Sequence, residues 1–272
     1  MQHQEVEPPE ILRDAIKGVW HTGMDLGALP ASFEVVPDGY AEIIFHFGTG
    51  CSISTTDGLQ PLPSPFLVGL LNKPTLFTAQ NRLDIIGIRC FPWTVFDLLG
   101  LPAGQDGVRV FEHPIAQLQE ALAAMIQAGQ VAEALAEVTQ YFGQAWSRRA
   151  NGQLLGKAGK AMLAANGTLP VSRVAAAAHA TVRTLERKFK QAAGYTVKDV
   201  SGLMRFEQVR FRLWQHPATG LAGLAQELGY ADQAHLGREF KRYSGTTPAA
   251  FARRAARCQQ TVSTDFVAFI LA

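Results

Sequence analysis

The sequence predicts an α+β chain: a β-rich, barrel-like N-terminal domain with helices after it, then an all-α C-terminal domain. Three observations carry this. Before Pro114, short alternating apolar runs are separated by Pro/Gly turns. After it, apolar residues recur at three- and four-residue steps. Near the C-terminus one pattern is written twice, 51 positions apart.

The chain has 272 residues, room for two cores, and 18% of them are charged, as in ordinary soluble proteins. No run reaches the roughly 20 apolar residues of a membrane helix, and the polar start "MQHQEVEPPE" does not read as a secretory signal. Three scattered cysteines, Cys51, Cys90 and Cys258, fit a reducing compartment, with cytoplasm the default, and have no disulfide or zinc-finger spacing. The net charge of +2 hides a division: Met1–Trp146 carries −10, Ser147–Arg257 carries +13. A basic half of this kind suits a polyanion, although a basic face that only confers solubility has the same composition.

In "AEIIFHFG", Ala41, Ile43, Phe45 and Phe47 alternate with Glu42, Ile44 and His46, and "RLDIIGIRCF" is a second such run. With turns at "VPDGY", "TDGLQPLPSP" and "LNKP", these predict a sheet or small barrel of the cupin-like kind. Helices follow at "IAQLQEALAAMI" and "VAEALAEVTQYFGQAW", broken at Gly129-Gln130. Their apolar stripe suits either a dimer seam or packing onto the barrel. The Ser147–Gln153 stretch reads as the junction, giving domains 1–150 and 151–257, and the apolar tail 258–272 is expected to pack back as a strand or short helix.

In the repeat, Leu185, Arg187, Phe189, Lys190, Gly194 and Thr196 recur as Leu236, Arg238, Phe240, Lys241, Gly245 and Thr247. Thr181 and Asp232 are suited to N-caps, Gly194 and Gly245 to left-handed C-caps. Val182, Leu185 and Phe189 form an inward stripe in the first copy; Leu236, Phe240 and Tyr243 do so in the second. Short Ala-rich helices precede both, making two tight helix-turn-helix units. The turn "GYAD" is one residue longer than "HAT". Val200, Leu203, Phe206, Val209 and Leu213 define a connecting helix with a basic outer side. Helices about 10–12 Å wide fit a major groove about 12 Å wide, and two held about 34 Å apart could enter successive grooves of double-stranded DNA.

"LGYADQAHLGREFKRYSGTTPAAF", with "TVRTLERKFKQAAGYT" and Arg205 in "LMRFEQ", resembles the paired helix-turn-helix units of the AraC/XylS transcriptional regulators, over about Gln153–Arg257. "ALPASFEVVPDGYAEIIFHFG" with "IIGIRCFPW" is more loosely similar to the N-terminal domain of a subset of them. Val197 where proline is frequent, Gly202 in the linker and Gly237 in the second recognition helix depart from the pattern. The resemblance implies base contacts from Arg183, Glu186 and Arg187, and from Ala234, His235 and Arg238. Arginine can fork onto guanine, and glutamate can accept from cytosine; an i,i+4 pair of Glu186 with Lys190 is the competing role. Thr181, Lys190, Asp232, Gln233, Lys241 and Arg242 are the candidates for phosphate.

The resemblance further implies that the N-terminal domain senses a small-molecule effector or mediates homodimerisation, with RNA polymerase a partner if the protein activates. Glu42, Arg89 and Trp93 are candidates to line a ligand site. No HExxH, P-loop or Ser/His/Asp order stands out, so no catalytic residue, metal ligand or cofactor is assigned. His46 and Cys90 read as structural. The competing class is a small-molecule-binding protein or enzyme whose helical half is an interaction module.

Overall fold

The computed structural model describes residues 2–99, 107–147, 153–258 and 269–271. The strands are β1 (Gln2–Val6), β2 (Ile16–Asp25), β3 (Ala31–Val35), β4 (Ala41–Gly48), β5 (Cys51–Thr55), β6 (Gly58–Leu62), β7 (Phe66–Val68), β8 (Thr75–Ala79) and β9 (Arg82–Cys90). After α1 (Val95–Leu99) and β10 (Val108–Val110) come α2 (Leu118–Gln127) and α3 (Val131–Ser147). Two antiparallel sheets result, ordered β1-β2-β9-β4-β7-β10 and β3-β8-β5-β6, and β11 (Phe269–Leu271) adds to the free edge of β3. Residues 148–152 of the expected junction and most of the tail lie outside the described residues; the backbone of 269–271 pairs as a strand with 33–35.

The larger sheet is covered on both faces, which is why β9 is buried almost along its whole length. On the inner face Trp20, Ile44, Ile85 and Phe66 meet Phe77 of the smaller sheet and fill the space between the two. On the outer face Ile43, Phe45, Ile86, Ile88 and Cys90 meet Leu122, Leu135, Val138 and Phe142 of α2 and α3. The apolar stripe of those two helices is thus packed on the barrel.

The C-terminal half comprises α4 (Gln153–Ala164), α5 (Val171–Ala177), α6 (Val182–Ala193), α7 (Val197–Gln215), α8 (Leu221–Glu227), α9 (Gln233–Ser244) and α10 (Pro248–Cys258). Its core includes Val36, Leu70, Phe91 and Trp93 from the β-rich half, so both halves share one apolar cluster. Trp93 stacks on Phe91 with ring centroids 5.2 Å apart and meets Phe189 of α6 at 5.8 Å. Gly159 of α4 gives the indole room: a Cβ there would lie 2.2 Å from it. Tyr195 Oη donates to Leu70 O at 2.7 Å across the same seam. Among the described residues no helix is long and apolar enough to cross a membrane.

Candidate nucleic-acid interface

Helices α6 and α9 start and stop for local reasons. Thr181 Oγ1 accepts from Thr184 N at 3.2 Å, and Asp232 Oδ1 accepts from His235 N at 2.6 Å. Each satisfies a first-turn amide that has no partner within its helix. Gly194 and Gly245 close the helices at φ 74° and 71°, the left-handed region that glycine enters without steric cost. In the turns before them, His179 (φ 52°) and Gly229 (φ 71°) make the same reversal.

The buried stripe of α6 is Leu185, Phe189 and Ala193. Val182 was expected in it but is 43% exposed. Burial in α6 starts one turn further on, at Leu185. In α9, Leu236, Phe240 and Tyr243 are buried as the spacing predicts. Arg183, Arg187 and Lys190 on α6 are exposed, as are Ala234, Arg238, Lys241 and Arg242 on α9 and Gln233 beside its cap.

Glu186 has another role. Its Oε2 accepts from Val197 N, the first amide of α7, at 3.3 Å, and no ion pair among the described residues joins it to Lys190. In the second copy the matching positions are Gly237 and Pro248. Proline has no N–H to satisfy, and the glycine offers no acceptor; the two positions have changed together. Glu186 and Val197 are one structural pair: the valine amide, which a proline would lack, has its acceptor in Glu186.

His235 packs edge-on against Tyr230, centroids 5.3 Å apart, and its Nδ1 accepts from Ala231 N at 3.4 Å. That leaves the proton on Nε2, a donor suited to a guanine acceptor. Asp232 is occupied as a cap, and an ionised carboxylate has no donor for a phosphate oxygen.

The connecting helix α7 lacks the predicted basic outer side. Arg210 is buried and paired with Glu207 at 2.7 Å, Arg205 turns in towards Glu239, and Arg212 pairs with Glu227 at 2.7 Å. Burial raises the Glu207 pKa against the opposing pull of Arg210. Gly202 makes room for the second unit: a Cβ would lie 3.1 Å from Tyr243 Oη and 3.4 Å from a Glu239 oxygen. Thr196 and Asp199 form a reciprocal capping box at the start of α7.

Of the three residues assigned to a ligand site, Trp93 is in the seam, away from the space between the sheets. Glu42 Oε1 accepts from Arg89 Nε at 2.9 Å and from Trp20 Nε1 at 3.3 Å, while Asp38 stands 3.6 Å from Arg89. Burial raises the Glu42 pKa and Arg89 opposes it. Burial works against the Arg89 charge, but Glu42 and Asp38 outweigh it and hold the guanidinium protonated. The cavity beside Glu42, between the sheets, is about 20 Å³, room for about one water. His46 Nε2 lies 3.1 Å from Leu62 O, and burial lowers its pKa. Burial drives the Cys90 thiol well above its ordinary range, the opposite of a reactive thiolate. Among the described residues no group of three or more His, Cys, Asp or Glu is placed to hold a metal.

Residues 174–254 match the family model described as a helix-turn-helix domain, and residues 4–106 match a domain of unknown function, DUF6597. No curated protein matches the chain. Among solved structures, ToxT from Vibrio cholerae with an unsaturated fatty acid bound is 9% identical, covering 86% of this chain and 94% of that one at TM-score 0.47. A transcriptional regulator of the AraC-type DNA-binding class from Chromobacterium violaceum is 22% identical over 38% of this chain and 93% of its own, at 0.36. The DNA-binding domain of AdpA, solved with a target DNA, is 20% identical over 41% and 100%, at 0.37. At such identities and scores these likenesses add little; the family match and the capped, repeated geometry carry the assignment. The C-terminal half is a helix-turn-helix domain, the class used by DNA-binding transcription regulators. Two such units are joined by one helix, the arrangement that the AraC/XylS resemblance implies.

Proposed function

We propose that the chain is a sequence-specific DNA-binding transcription regulator whose α6 and α9 enter successive major grooves of one duplex. The observation that carries this is the repetition itself: two helices, capped alike, bury matching stripes and expose Arg187/Lys190 and Arg238/Lys241 at matching positions. Arg183 and Arg187 read bases for the first unit; Arg238, His235 and the small Ala234 do so for the second. Lys190, Lys241, Arg242, Gln233 and Thr181 hold the phosphates and set the register. The acidic β-rich half regulates, through a small molecule or through pairing of two chains. Its effect reaches α6 along Phe91, Trp93 and Phe189, which share one core.

Selection of bound duplexes from a random library with the purified full chain tests this. It should return two short boxes about 10–10.5 base pairs apart, centre to centre. Recovery of no enriched sequence, or of a single box, would count against it.

A further inference from the structure

The geometry points to Arg205 and Glu239 as the positioning pair that fixes the second recognition helix relative to the first unit, and so sets the spacing between the two DNA boxes. This rests on the reading of α6 and α9 as recognition helices. Arg205 is in the middle of α7, and its guanidinium is held from three directions. Nη1 donates to Gly167 O at 3.0 Å, on the loop that leads into the first unit. Nη2 donates to both Glu239 carboxylate oxygens, at 3.3 and 3.4 Å, on the inner side of α9. The charge also lies over the Tyr230 ring, 5.2 Å from its centroid, in the turn of the second unit. One side chain thus joins the entrance of the first unit, the turn of the second and its recognition helix.

The pair is not arranged for stability alone. The two side chains are only 15% and 16% exposed, and Arg205 Nε is buried with no hydrogen-bond partner. Ion pairs withdrawn from water in this way contribute little compared with an apolar filling of the same shape; what they can supply is a unique arrangement. Nor is the device repeated. The first-copy position that matches Glu239 is Lys188, which is exposed. Close approach is built in on both sides. A Cβ at Gly202 would press on Tyr243 and Glu239, and one at Gly167 would lie 2.4 Å from Ser201 O.

The test uses the full chain and the duplex it selects, with one or two base pairs added or removed between the boxes. The wild-type protein should bind each one-base-pair spacing variant about tenfold more weakly, a penalty of the order of one mismatched pair. Arg205→Met, which keeps most of the volume, and Glu239→Gln should flatten that penalty to about twofold while leaving binding to the first box alone unchanged. Arg205→Lys, which keeps the charge, should restore part of the preference. If Arg205→Met does not fold, Glu239→Gln, altered by one group, carries the measurement. A wild-type preference for one spacing that persists in both variants overturns the inference and leaves the DNA-binding reading intact. Selection of no paired site overturns both.

Discussion

The two helix-turn-helix units share their caps, buried stripes and left-handed glycines, yet differ in what holds them. The first is built into the body: Phe189 of α6 packs on Trp93, and Tyr195 bonds to Leu70 O. The second touches the β-rich half more lightly, with Pro74 near Gly245 and Val36 in the common cluster. It is tied instead to the connecting helix by Arg205–Glu239 and by Tyr243 on Phe206. One sequence pattern therefore serves a unit fixed to the β-rich half and a unit fixed to the linker.

The sharpest way to break that asymmetry is Trp93→Ala. It empties a fully packed site against Gly159 and Phe189, and truncation of a buried aromatic costs about 3–5 kcal/mol. Urea unfolding followed by circular dichroism should show the loss as a lower midpoint. A shift worth under about 1 kcal/mol would mean the first unit does not depend on the body. The matched change Pro74→Ala, at the second unit's edge, should cost far less.

Next in size is base reading. Arg187→Ala should weaken binding to the selected duplex by about 1–3 kcal/mol and relax preference at one position of the first box. Lys241→Ala should weaken all duplexes alike and lower the slope of log affinity against log salt by about 1. Equal losses for Arg187→Ala on selected and random duplexes would move it to the phosphate group.

These expectations show how far the sequence could be read. The repeat, both N-caps, both C-cap glycines and the linker stripe follow local rules that act within one turn, and a single chain displays them. Val182 and the linker arginines depart from the periodic pattern because helical periodicity says which residues share a face, not where the neighbouring helix ends or which acid waits across it. Arg205–Glu239 spans 34 positions and Trp93–Phe189 spans 96, separations over which no spacing rule operates. Glu186 was different. Its exchange with glycine at the same offset where Val197 exchanges with Pro248 was visible in the repeat, and only the satisfied amide explains it.

That pair makes a smaller prediction. Glu186→Ala leaves the Val197 amide without its acceptor and should cost about 1 kcal/mol of stability, with the selected sequence unchanged. In a Val197→Pro background the same change should cost nearly nothing. Proline suits the first helical position, and Thr196 before it is already extended, at φ −79° and ψ 159°. A change in the base preferred by the first box on Glu186→Ala would return Glu186 to the base readers.

The smallest effect belongs to Gly237. A Cβ there meets nothing within 4 Å, and the position is not in the left-handed region. Gly237→Ala should therefore raise stability by about 0.5–1 kcal/mol, the gain of removing a glycine from a helix interior. The same methyl would stand in open space, whereas the matching Glu186 is drawn back to an amide in the first unit. If glycine is there because a base edge or thymine methyl comes close, Gly237→Ala will stabilise the free protein and weaken its DNA complex. If affinity is unchanged, the glycine is only what remains once Pro248 has removed the need for an acceptor.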